Sequence, residues 1–201
     1  MFIGKITSSS SHVDYICQVY GPGETDVVPQ PEDYGFGTFV GVEQANGGYL
    51  VGVINNTTLL NPEFGNLGPR LSPREELAVF SPDYLSEKVT LVAVTILGMV
   101  DGSGNAQQGV PVVAATVDAR VRRLTREEIV DFHTQAANDR SGGTSLRLAY
   151  LPMLSMMPPP LAPHLLLRIL TFLRELFPEE ARRLEILGNN LSWKSRVEPV
   201  G

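Results

Sequence analysis

The stretch YGFGTFVGVEQANGGYLVGVI, residues 34 to 54, decides the fold. Residues 36–44 and 49–60 are rich in β-formers, and Ala45, Asn46, Gly47 and Gly48 separate them. An Asn-Gly pair between two such runs is the strongest short-range hairpin signal, because a tight turn needs residues that accept positive φ. Gly37, Gly41 and Gly52 weaken a flat strand but suit the bulges and sharp bends of a small closed barrel.

Strand signals continue outward from this hairpin. Residues 2–7 read as a first short strand, Ser8 to Ser11 turn the chain, and residues 13–20 read as a second. Residues 21–33 hold three prolines and four acids and read as a surface loop. Beyond the hairpin, residues 61–72 form another loop, and residues 73–78 a helical turn with Ser72 as N-cap and Glu75 three residues on. Residues 88–101 are a continuous run of β-formers. A polar turn over residues 101–105 then leads to a sixth strand over 111–122. Six strands with short turns predict a small closed six-stranded Greek-key-like β-barrel over residues 1–123.

The character changes after Leu124. Thr125 and Glu128 have capping-box spacing, and Ile129, Phe132 and Ala136 follow at helical intervals, up to Ser141-Gly142-Gly143. Residues 146–157 are apolar and read as extended or as a buried strand, and residues 158–160 as a stiff proline spacer. A second helix is expected from Pro163 to Phe177. A third starts at Pro178, with Glu179 and Glu180 in its first turn, and closes at Gly188. The class is thus mainly β with C-terminal α: a barrel, then about three helices over residues 124–201.

The chain has 201 residues, 43% of them hydrophobic, with 19 glycines and 15 prolines, which favours many short elements over a helical bundle. A net charge of -6 opposes binding to nucleic acid or to anionic membranes. Cys17 stands alone, so no internal disulfide can form. No signal peptide is read at the N-terminus, and the longest apolar run, residues 165–177, is short and broken by Arg168, Arg174 and Glu175. A cytoplasmic protein with no membrane partner is expected.

The order of these signals resembles the HAS-barrel family, the barrel domain shared by HerA-type helicases and rotary ATP synthases. Gly4-Lys5-Ile6 before a serine turn is similar to that family's opening strand. Residues 34–42 are similar to its central strand, 49–54 to the next, and 92–98 to a late strand ending in Leu97-Gly98. The resemblance covers roughly residues 1–123. It implies barrels packed side by side above an ATPase, or docking of a nuclease partner. The departure is the motor: Gly4-Lys5 is followed by Ile6 and lacks the upstream glycine of a phosphate-binding loop, so ATPase activity does not carry over.

Other candidate chemistry is sparse. Asp101, Ser103 and Asn105 match the first ligands of a calcium loop, but Ala106 and Val112 stand where its glycine and glutamate belong, so a polar turn is expected. His12 and Asp14 share a face beside Ser8 to Ser11 without a nucleophile elbow. His133 and His164 fall on different helices, so no metal, cofactor or catalytic set is read, and Cys17 reads as a small buried hydrophobe. Arg120, Arg122, Arg123 and Arg126 form a basic cluster, either a contact for phosphate or an acidic partner, or a solvated strand edge. The helix from Pro163 is apolar round most of its circumference. It is either covered by the barrel and third helix, or leaves a face with Leu166, Leu170, Leu173 and Phe177 for another subunit. The leading expectation is a non-catalytic module that self-associates or docks a protein partner, possessing no enzyme activity. A nucleic-acid-processing accessory using Arg120 to Arg126 comes second, and a hydrolase last.

Overall fold

The computed structural model describes residues 1–61, 89–136, 144–157 and 160–197. The helical turn expected at 73–78 lies outside them. Seven strands come first: β1 (Phe2–Ser9), β2 (Asp14–Val19), β3 (Phe39–Glu43), β4 (Tyr49–Leu60), β5 (Val89–Val100), β6 (Ala106–Gln108) and β7 (Arg120–Arg123). Helix α1 (Arg126–His133) follows, then a small hairpin of β8 (Thr134–Ala136) and β9 (Thr144–Leu146). Helices α2 (Leu151–Ser155), α3 (Leu161–Leu176) and α4 (Ala181–Val197) complete the chain.

Six strands close into an antiparallel barrel in the order β1-β2-β5-β4-β3-β7, with β7 hydrogen-bonded back to β1. β3, β4 and β5 form a meander, and β7 returns by a long connection to lie beside β3, which is the Greek-key arrangement. β6 is an extra strand paired with Gly98 to Val100 of β5, further along β5 than β2. Bulges at Leu97 of β5, opposite Val51 and Gly52, and at Asn55 of β4 let the two strands bend around the closed wall.

The sixth barrel strand is shorter and later than residues 111–122, the span its composition predicts. Only Arg120–Arg123 pair, while the valine-rich stretch before them belongs to no strand. The small strand β8 replaces part of the predicted continuation of the first helix, and within the apolar run 146–157, expected to be extended or a strand, Leu151–Ser155 is helical instead. The third helix runs through Gly188 rather than stopping there.

Two apolar clusters organise the molecule. Inside the barrel, Ile3, Ile6, Cys17, Val42, Ile54 and Val94 are fully or almost fully buried. Gly4 makes this bore possible: a Cβ there would fall on the Gln18 carbonyl oxygen and sit 2.7 Å from the Cys17 sulfur. The second cluster lies outside the barrel, where Phe39, Val51, Val53 and Leu97 face Leu165, Ile169 and their helical neighbours. β3, the first half of β4 and the second half of β5 are therefore buried on both faces, which is why their sequences there run on as β-formers instead of alternating.

Helix α3 packs against β4, α2 and α4. Its broad apolar surface is covered within the chain, and the outward face expected from Leu166, Leu170, Leu173 and Phe177 does not exist. All four are in the second cluster, at 3%, 3%, 0% and 7% exposure. The barrel wall takes one side of the helix, and α2 and α4 take the others.

If this cover is internal, Leu170→Ala and Leu173→Ala should each lower the unfolding free energy by about 2–5 kcal/mol, as large-to-small core changes do. Urea unfolding measures the loss, and light scattering should find the mass in solution unchanged by either substitution.

Candidate functional site

The arginine cluster sits on β7 and the start of α1. β7 is not an edge: it is hydrogen-bonded to β1 on one side and to β3 on the other, so the arginines do not blunt an open sheet. Each of the four meets a carboxylate. Arg120 reaches Glu43 at 2.8 Å, and Arg122 holds both oxygens of Glu128 at 2.7 and 2.9 Å. Arg123 stands 3.5 Å from Asp33, and Arg126 is 4.0 Å from Glu175. Hydrogen bonds from Arg122 hold the Glu128 carboxyl below its ordinary range, and the same bonds raise Arg122. Glu128 also caps α1 by accepting from the Thr125 backbone N–H, so one carboxylate joins the barrel to the helix.

Aromatic rings from distant elements lie under three of these cations. Arg120 covers Phe2 at 4.2 Å, Arg122 covers Tyr49 at 4.8 Å, and Arg126 covers Phe172 at 5.7 Å. Held by both carboxylates and rings, Arg120 and Arg122 are poorly placed to take phosphates from a nucleic acid strand.

The other candidates resolve into local hydrogen bonding. Ser11 donates to Asp14 at 2.7 Å, while the His12 Nε2 lies 2.8 Å from the carbonyl oxygen of Pro111. Serine and histidine are thus engaged with other partners, and the relay a hydrolase needs is not assembled. Asp101 accepts from the backbone N–H groups of Ser103 and Asn105 and from the Asn105 side chain, closing a turn with Gly104 at positive φ. Bonds from Asn105 hold the Asp101 carboxyl below its ordinary range. Burial pushes the Cys17 thiol up to about 12, consistent with a packing role. No group of three or more His, Cys, Asp or Glu side chains is placed to hold a metal among the described residues.

Two buried polar groups were not singled out by the sequence. The Gln108 amide, on β6, donates to the carbonyl oxygens of Phe132 and Arg147 and accepts from the Ala149 N–H at 2.7 Å. His133, fully buried at the end of α1, has Nδ1 2.7 Å from the Ile129 carbonyl oxygen and Nε2 2.7 Å from the Tyr150 hydroxyl. A carbonyl can only accept, so Nδ1 carries the proton and Nε2 accepts from Tyr150. Phe39, Phe132 and Phe177 pack their rings around this pair. Burial drives the imidazole down to about 4 and the Tyr150 phenol upward, so both stay neutral. A histidine inside a predicted helix, beside a phenylalanine of the apolar stripe, was the available signal.

The connection from β6 to β7 exposes Val110, Val112, Val113 and Val117 at 59%, 85%, 49% and 67%. It is tied down by His12 on Pro111 and by the Ala115 N–H on the Tyr15 hydroxyl. Among the described residues, the backbone of Val112 to Ala114 has no hydrogen-bond partner.

These features define a small antiparallel barrel sealed on one outer wall by helices and carrying an exposed apolar strap. The chain matches, over residues 1–200, the family model described as a domain of unknown function (DUF8166), and it belongs to that family. No curated protein matches it. No helix among the described residues is long and apolar enough to cross a membrane.

His133 gives the fold a pH dependence of defined sign. Folded His133 takes up a proton only near pH 4, whereas the unfolded imidazole does so near 6.5, so acid favours the unfolded chain. Its contribution is complete above about pH 6.5 and should fall by about 3 kcal/mol as the pH drops to 4. Glu128 adds a loss only at lower pH, through and below the carboxylate range. Urea unfolding at pH 7.5, 6 and 5 should show the decline, and His133→Gln should be less stable at pH 7.5 but nearly flat across that window.

Proposed function

We propose that this chain is a non-catalytic assembly module of the HAS-barrel type, joining further protein chains through its surface: copies of itself, or a partner such as a HerA-like ATPase or nuclease system. The observation that carries the reading is the strap between β6 and β7. Four exposed valines within eight residues form an apolar surface that a lone protein gains nothing by keeping in water. The backbone of Val112 to Ala114, which has no partner among the described residues, offers donors and acceptors to an incoming extended segment, in the manner of strand addition. The closed barrel behind it supplies a rigid platform. This surface replaces the helix from Pro163 as the point of attachment.

Light scattering coupled to size exclusion tests the reading. A discrete oligomer, or a stoichiometric complex with a purified partner, is expected, and Val112→Asp with Val113→Asp should dissociate it while leaving thermal unfolding within a few degrees. A strict monomer at high concentration that forms no such complex would overturn it.

A further inference from the structure

A cleft of about 230 Å3 opens where the end of β7 and the start of α1 meet α3 and the segment leading into β3. Three guanidinium side chains line it, Arg123 from β7, Arg126 from α1 and Arg168 from α3, together with Phe36, Phe172 and, at the rim, Glu32. The four arginines adjacent in sequence divide here. Arg120 and Arg122 are locked to carboxylates at 2.7–2.9 Å, whereas the two at the cleft each make one longer ion pair, of 3.5 and 4.0 Å. Arg126 also covers the Phe172 ring at 5.7 Å. Exposed ion pairs as long as these two contribute little, so Asp33 and Glu175 compete weakly for those donors. Arg168 has no carboxylate partner among the described residues. Its stem is nonetheless fixed, because it lies against Gly37, where a Cβ would sit 2.6 Å from the Arg168 Cγ. Gly37 also has φ +84, so glycine answers both demands.

We propose that this cleft binds the oxyanion group of a small molecule, a phosphate or a carboxylate, between Arg123, Arg126 and Arg168. Planar guanidinium forks match both groups. The rings of Phe36 and Phe172 flank the ligand's apolar part. The volume falls below the roughly 300–1,000 Å3 of sites for drug-sized ligands, which selects a compact body over a whole nucleotide. The anion takes over the donors that Asp33 and Glu175 hold loosely, so binding weakens with salt. None of this depends on the assembly reading, since the cleft involves no residue of the valine strap.

The test is titration of the full-length protein with inorganic phosphate and, separately, with succinate, at ionic strength held constant with chloride. Calorimetry and backbone amide shifts provide the readouts. Saturable binding is expected, with shifts centred on Gly37 and Thr38, and Arg168→Gln should weaken it about tenfold while Arg120→Gln leaves it unchanged. Arg126→Gln, which leaves the Gly37 contact intact, should weaken it as well. Tighter binding of phosphate assigns a phosphoryl ligand, and tighter binding of succinate a carboxylate. The proposal fails if neither anion gives a saturable shift, or if Arg120→Gln weakens binding as much as Arg168→Gln, which would indicate diffuse attraction to surface charge.

Discussion

β3, the first half of β4 and the second half of β5 are buried on both faces, and the rest of the molecule is arranged to cover the outer one. Val42 and Ile54 fill the barrel, while Phe39, Val51, Val53 and Leu97 point away from it. Leaving such a wall in water would cost about 25 cal/mol for each Å2 of apolar surface. Helix α3 answers with a stripe too wide for the barrel alone, and α2 and α4 close over the remainder. Gly41 lets the cover come close: Leu124 and Tyr49 stand 3.0 and 3.2 Å from where its Cβ would be.

Cover of this kind brings irregular backbone into a dry place, and its polar groups need partners there. Gln108 supplies three bonds to two segments at once, the end of α1 and the stretch after β9, using its amide N–H groups and its oxygen. His133 and Tyr150 satisfy one another, and His133 also takes up the Ile129 carbonyl. No buried side-chain nitrogen or oxygen is left without a partner among the described residues. Where an apolar core accepts many similar packings, such directional bonds favour one position of the helices on the barrel.

Much of the fold was legible because β-branched runs and capping residues act locally. β4, β5 and the Thr125 cap fall where the sequence places them. β7 was legible only in part: the strand expected over 111–122 keeps its last three residues, and Arg120-Val121-Arg122-Arg123, with one apolar residue, is held as a strand by partners on both sides. Conversely, the strap before it has strand composition but pairs with no strand among the described residues. Gly188 reads as a helix stop, yet it remains helical on the flank facing Leu167. The candidate site was half visible: the run from Arg120 to Arg126 stands out, but its division into locked and loosely held members depends on Glu43, Asp33 and Glu175, distant in the chain. Arg168 read only as a charge interrupting an apolar helix, because its neighbour Gly37 lies more than a hundred residues earlier.

The position of β7 between β1 and β3 also sets a condition on biosynthesis. The first hairpin and the β3–β5 meander can each form as soon as they are made, but the barrel cannot close until Arg123 has left the ribosome. Until then β1 and β3 each present a bare edge to the cell, and the longest wait falls on the most N-terminal strand. Closure joins segments more than a hundred residues apart, a slow step by the usual relation of contact order to rate. The nascent chain, rather than the finished one, is thus the form most exposed to mispairing.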